Sequence, residues 1–181
     1  MRKTVLYIAI SLDGYIADQN GGVAWLESQN EYAQEPGSYP EFMQTVDTVV
    51  LGYTTYHQLI TELSPAAWPY EGKQTYVMTH RSLPGQKDIH FTGEPVEGLI
   101  YGLKEQDGKD IYICGGANLA NQLIKARLID IYSITIIPII LGSGIRLFGQ
   151  DNPIIALFLK STRQYNGMID LVFETIAPES T

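Results

Sequence analysis

One cysteine, Cys114, is all that 181 residues contain, so neither an intrachain disulfide nor a multi-cysteine metal site can form. The three histidines, His57, His80 and His90, do not stand at metal-ligand spacings, and no metal site is expected. Basic residues are also few: 12 Lys and Arg against 20 Asp and Glu leave a net charge of −8. They are scattered rather than clustered, which argues against a nucleic-acid partner or an anionic membrane surface. No Walker loop or Gly-x-Ser-x-Gly elbow is present, and no Gly-x-Gly-x-x-Gly follows the first strand. Long apolar runs are missing too. The longest, Leu128 to Leu141, is interrupted by Asp130, Ser133, Thr135 and Pro138 and is too short and polar to span a membrane. At the N-terminus, Arg2 and Lys3 precede a short apolar run that meets Asp13-Gly14 with no small-residue cleavage site, so a buried first strand and a cytoplasmic location are expected.

What is there reads as one globular domain over residues 1–181, 45% hydrophobic and 18% charged, without repeats or linkers. Short β-rich runs alternate with helical patterns, the order that builds βαβ units. Strands are expected at Val5–Ile10, Thr48–Leu51, Thr75–Met78, Asp88–Phe91, Asp110–Ile113 and Ile129–Ile137. Helices are expected at Pro40–Val46, Thr54–Leu63, Pro95–Gln106 and Ala117–Ala126. Tyr56, Leu59, Ile60 and Leu63 fall on one face of the second helix. Ser64–Lys73, with two prolines and a glycine, reads as a surface loop. Leu157–Tyr165 and Met168–Ile176 flank Asn166-Gly167, a two-residue hairpin turn in which both positions accept positive φ. The result is an α/β fold: a mostly parallel central sheet with helices on both faces and a C-terminal antiparallel hairpin.

Three strand ends carry anion-friendly chemistry. Ile111-Tyr112-Ile113-Cys114 runs into Gly115-Gly116 and then a helix, so the backbone can approach a phosphate closely and free helix N–H groups can face it. By itself the Gly-Gly pair reads more readily as a tight turn. Leu51-Gly52-Tyr53-Thr54-Thr55 is a second strand ending in glycine before a helix, where the threonines serve either as ligand donors or as simple N-caps. Thr79-His80-Arg81 follows a third strand, and Arg81 suits a 2′-phosphate. In open α/β sheets ligands bind outside the carboxyl ends of the strands. Asp13, in Ser11-Leu12-Asp13-Gly14, is a candidate for orienting a substrate or delivering a proton, or else a turn residue.

These segments together resemble the dihydrofolate reductase-like superfamily, most closely the RibD C-terminal reductase domain of riboflavin biosynthesis. The matching pieces are Ser-Leu-Asp-Gly-Tyr-Ile-Ala at 11–17, Trp25, Gly-Tyr-Thr-Thr-Tyr at 52–56, and Gly-Gly-Ala-Asn-Leu at 115–119. Leu128-Ile129-Asp130 through Gly142-Ser143-Gly144 and Leu147-Phe148 match as well. The resemblance implies a reductase that uses NADPH as its cofactor. Ala9 and Trp25 would border the nicotinamide, and Gly52, Tyr53, Thr54 and Thr55 would meet the phosphates. Thr79, His80 and Arg81 would face the adenosine end, while Gly115, Gly116, Ala117, Asn118 and Leu119 would cradle the pyrophosphate. The substrate implied is a small pyrimidine- or pterin-like heterocycle such as a ribosylamino-pyrimidine, and the implied assembly is a homodimer through the Ile129–Leu141 half and the hairpin. Tyr53 stands where many relatives have arginine, Cys114 where riboflavin enzymes often have a substrate-contacting glutamate, and residues 26–30 lack the family's polar segment. Dihydrofolate reductase and a non-catalytic nucleotide-binding module are the alternatives.

Overall fold

The computed structural model describes residues 1–27 and 37–176. In chain order the elements are β1 (Thr4–Ser11), β2 (Tyr15–Ala17), α1 (Tyr39–Thr45), β3 (Val46–Gly52), α2 (Tyr53–Gln58), β4 (Gln74–Met78), β5 (Ile89–Thr92), α3 (Val96–Lys104), β6 (Asp110–Gly115), α4 (Ala117–Lys125), β7 (Ile131–Ile137), β8 (Ile145–Arg146), β9 (Leu157–Tyr165) and β10 (Met168–Thr175). Eight strands form one sheet in the order β5-β4-β3-β6-β1-β7-β10-β9, parallel except for the C-terminal hairpin. The sheet is the one expected, and Asn166 and Gly167 turn the hairpin with φ of 47° and 77°.

Strand side chains alternate between two faces, and each face has its own core. Leu6, Val50, Ile111 and Ile113 point to one side, where the amphipathic helices α3 and α4 bury Leu99, Ile100, Leu123 and Ile124 against them. Val46, Val49, Leu51 and Tyr112 point to the other, covered by Phe42 and Met43 of α1 and Tyr56 of α2. Arg2 closes the amino end of the sheet. Its guanidinium is buried, ion-paired with Asp47, and donates to the carbonyls of Lys109 at 2.6 Å and Leu103 at 3.3 Å. A buried cation so fully hydrogen-bonded ties β1, β3 and β6 together at their starts.

Two expectations change. The helix after β3 does not keep its α period: α2 stops at Gln58 and Leu59–Leu63 form a π turn, closed by the Ser64 N–H donating to the Leu59 carbonyl at 2.8 Å. The wider turn rotates Ile60 and Leu63 off the expected apolar face into solvent, and Tyr56 alone of the four is buried. The 64–73 segment is not wholly superficial either. Tyr70 is buried because its ring packs edge-on against Trp68 and Tyr112, at centroid distances of 5.3 and 6.0 Å. A small second sheet, β2 with β8, has no counterpart in the sequence reading. Three- and two-residue strands carry too little pattern to be seen.

Candidate active site

β1 and β6 start as neighbours but do not stay paired. Their register runs only over Thr4–Ile111, Val5–Tyr112 and Leu6–Ile113, while β1 continues beside β7 as far as Ser11. A gap therefore opens at the carboxyl end of the sheet, bordered by Ala9 on one side and Gly115 on the other, at a point where the strand order reverses direction.

On the far side of β6, Leu51 of β3 pairs with Gly115, so two glycine-capped helices begin side by side. Gly52 caps α2 and Gly116 caps α4, and neither helix start carries a side-chain cap. The first helical bond of α4 runs from the Ala120 N–H to the Gly116 carbonyl, which leaves the N–H groups of Ala117, Asn118 and Leu119 without a helical acceptor. A Cβ at Gly116 would lie 3.6 Å from Thr55 Oγ1, and one at Gly52 would meet nothing within 4 Å. The two helix starts thus face a common open space into which a side chain could grow, and their dipoles favour an anion there. Gly115 adopts φ +115°, in the region that favours glycine. Leu119 is buried in the core, so only its backbone can take part.

After β4, Arg81 lies with its guanidinium 4.4 Å from the centre of the Tyr53 ring. The Arg81 N–H donates to Thr79 Oγ1 at 3.1 Å, and Thr79 donates its own N–H to the Thr92 carbonyl at 2.8 Å. Tyr53 thus acts as the platform for the arginine supplied from the next loop. His80 is exposed beside it. Trp25 has its indole Nε1 buried with no partner among the described residues, which marks a donor available to a ligand or a neighbouring segment. Residues 28–30 and Glu31 lie outside the described residues.

Cys114 and Tyr70 were not foreseen as a unit. The register shift between Val50 and Leu51 makes Cys114 the extra residue of a bulge in β6. Its Sγ lies 3.1 Å from the Tyr70 hydroxyl. Burial pushes the Cys114 thiol up, and burial likewise raises Tyr70 and brings Tyr39 to about 12. All three are neutral at physiological pH, so this wall offers hydrogen bonds without charge. The signal that could have pointed to it was the aromatic run Trp68-Pro69-Tyr70, read only as a loop.

Asp13 is engaged by backbone. Its carboxylate accepts from Ser11 Oγ at 2.6 Å, from the Gly142 N–H at 2.7 Å and from the Leu141 N–H at 3.1 Å. The Ser11 hydroxyl, ahead of these backbone donors, holds it below the usual carboxylate range. It is therefore anionic at neutral pH and a latch between the β1 and β7 loops, where Gly144 must be glycine because a Cβ there would meet the Ala17 carbonyl oxygen at 2.2 Å. A folded-state pKa below the unfolded one stabilises above the unfolded value, and that contribution disappears as the pH falls through the lowered pKa. The protection factors of the Leu141 and Gly142 amides are expected to fall selectively on acidification, and Asp13→Asn is expected to reproduce that loss at neutral pH. Exchange that is unchanged in the variant would remove the latch.

Known proteins resemble this chain. YwjB of Bacillus subtilis, whose function is uncharacterised, is 43% identical over 173 residues, covering 94% of this chain and 96% of its own. YyaP of the same organism is 26% identical, with 95% and 94% covered. The crystal structure of a candidate riboflavin biosynthesis protein from Shewanella sp. PV-4 superposes with a TM-score of 0.85 at 25% identity, covering 97% of this chain and 99% of that one. The diaminohydroxyphosphoribosylaminopyrimidine deaminase/5-amino-6-(5-phosphoribosylamino)uracil reductase of Thermotoga maritima shares the fold at a TM-score of 0.69 and 14% identity, this chain matching 57% of its length. The family model for the RibD C-terminal domain matches residues 2–171, from the buried Arg2 to the middle of the last strand. Every element that borders the crevice falls within that span, and the chain belongs to the RibD C-terminal domain family.

Proposed function

We propose that this protein is an NADPH-dependent reductase that transfers hydride to a small pyrimidine- or pterin-like ring. The observation that carries the reading is the pair of side-chain-free helix starts at Gly52 and Gly116, opening on one space beside the gap between β1 and β6. The donor set fits the cofactor: unpaired N–H groups for the pyrophosphate, Arg81 on Tyr53 for the 2′-phosphate, and Ala9 at the gap for the nicotinamide, with Trp25 as its expected second wall. The family's riboflavin-pathway members support the same choice.

When bound, the cofactor supplies the hydride. The chain's own part is to bind, orient and keep water out. Gly115 lets the backbone pass close to the bound dinucleotide, and Ala9 presents a small, flat wall. The Cys114–Tyr70 edge offers neutral hydrogen bonds to the ring. Asp13 fixes the loop after β7 through the Leu141 and Gly142 N–H groups.

Arg81→Ala is expected to weaken NADPH by about tenfold, some 1.4 kcal/mol, and to leave NADH nearly unchanged, in paired fluorescence titrations. An equal loss for both cofactors would remove Arg81 from the 2′-phosphate. Oxidation of NADPH by a panel of pterins and ribosylamino-pyrimidines separates turnover from a binding-only module.

The reading includes a two-fold homodimer. On the sheet face carrying α3 and α4, the hairpin exposes Leu157, Leu159 and Ile169, a stripe the helices do not reach. Burying such a stripe against its own copy is an isologous solution. Light scattering at micromolar concentration is expected to give twice the chain mass. A monomer there would refute the dimer.

A further inference from the structure

A cavity of about 440 Å3 lies between α1 and the hairpin, on the sheet face opposite the exposed apolar stripe. It is also at the other end of the sheet from the crevice. Val5, Asp110 and Ile131, which border it, are at the amino ends of β1, β6 and β7. Nothing in the reductase reading uses it.

Its floor carries a hydroxyl. Ser133 sits on β7 between Tyr7 of β1 and Val172 of β10, is 8% exposed, and makes no side-chain hydrogen bond among the described residues. Its hydroxyl opens on the cavity and offers both a donor and an acceptor there. The wall is aromatic: Tyr7 and Phe42 stack at 4.4 Å between centroids. The rim is acidic. Glu41, Asp110 and Asp170 line the cavity against a single basic side chain, Arg163, which already stands 3.6 Å from Glu41. Asp170 is satisfied by Thr135, Tyr165 and Ser38, whereas Asp110 accepts from the Lys3 N–H at 2.8 Å and keeps acceptor capacity.

We propose that this cavity is a second small-molecule site, independent of the strand-end crevice, which takes a compact amino-substituted aromatic ring, neutral or cationic. A volume of this size suits one or two fused rings. The ring lies along Phe42 and Tyr7, its amino groups donate to Asp110 and Glu41, and the Ser133 hydroxyl pairs with a ring nitrogen. Anions are rejected, since a phosphate or carboxylate would face three carboxylates for one guanidinium that is already engaged. A dimer formed through Leu157, Leu159 and Ile169 leaves the cavity open, because those side chains are on the other face of the hairpin.

Calorimetry of the full chain with 2,4-diaminopyrimidine, orotate and inorganic phosphate tests this. The diaminopyrimidine is expected to bind one per chain, equally well with and without saturating NADPH, while orotate and phosphate do not compete with it. Ser161→Trp, at the exposed rim, is expected to weaken the diaminopyrimidine at least tenfold by filling the cavity. Ser133→Ala should weaken it severalfold, and both variants should bind NADPH as before. Four results would overturn the proposal: no diaminopyrimidine binding at millimolar concentration, an affinity unaffected by both substitutions, displacement by NADPH, or a Ser161→Trp protein that changes oligomeric state in light scattering, which would mean that a second copy covers this face. The outcome does not depend on whether NADPH binds, so the two readings fail separately.

Discussion

Gly116→Trp is expected to lower NADPH affinity at least a hundredfold, about 2.7 kcal/mol, in a protein that still folds. The backbone of Gly116 has φ −77° and ψ −165°, values any L-residue adopts. What the substitution changes is space. A Cβ at this position points toward Thr55, into the opening shared by the starts of α2 and α4, and an indole beyond it would stand where the proposed pyrophosphate would lie. Gly116→Ala is the control: its methyl would make an ordinary 3.6 Å contact with Thr55 Oγ1 and should cost little affinity. Far-ultraviolet dichroism and thermal melting distinguish a blocked site from an unfolded one. Equal NADPH affinity in the tryptophan variant and the wild type would move the pyrophosphate away from Gly116.

Asp170→Ala is expected to cost about 3 kcal/mol of folding stability, since hydrogen bonds to a buried charged group each contribute roughly 1.5–3 kcal/mol and part of the loss relaxes. Asp170 is 3% exposed and accepts from Thr135 Oγ1 at 2.6 Å, Tyr165 OH at 3.1 Å and Ser38 Oγ. Tyr7 joins the group through its 2.9 Å contact with Ser38. Truncating the carboxylate leaves these hydroxyls facing one another without their acceptor and frees the segment leading into α1 from the hairpin. At 2–4 °C per kcal/mol for a chain of this size, the melting temperature should fall by roughly 6–12 °C. Asp170→Asn keeps an acceptor and should lose less. A melting temperature within a degree of the wild type for the alanine variant would show that the network contributes no net stability.

How much of this was legible in the residues can be seen at particular places. Gly115-Gly116 and Gly52 were visible as strand-to-helix glycines, because a glycine between an apolar strand and a helical pattern has few other uses. That they begin adjacent helices was not visible, since strand order follows from crossover geometry rather than from local pattern. Arg81 and Tyr53 were each singled out, one as a phosphate ligand and the other as a missing arginine. Their stacking is a contact between two loops nearly thirty positions apart, which local pattern does not encode. Asp13 was correctly placed in the loop after β1, but its partners, the N–H groups of Leu141 and Gly142, are distant in sequence and decide its charge and its use. Ile60 and Leu63 misled because periodicity assumes 3.6 residues per turn, and the π turn at Leu59–Leu63 breaks that assumption. The cavity beneath α1 had no sequence signal at all: Ser133 and Asp110 read as ordinary strand residues until the hairpin and α1 are set on either side of them.

The central claim is that the space between the starts of α2 and α4, beside the gap at Ala9, holds a dinucleotide. Titrating the protein with NADPH and with NADH while following nicotinamide fluorescence tests it most directly. The account predicts a saturable change with one NADPH per chain, tighter than NADH, and abolished in Gly116→Trp. No binding of either dinucleotide to the folded wild-type protein would contradict it.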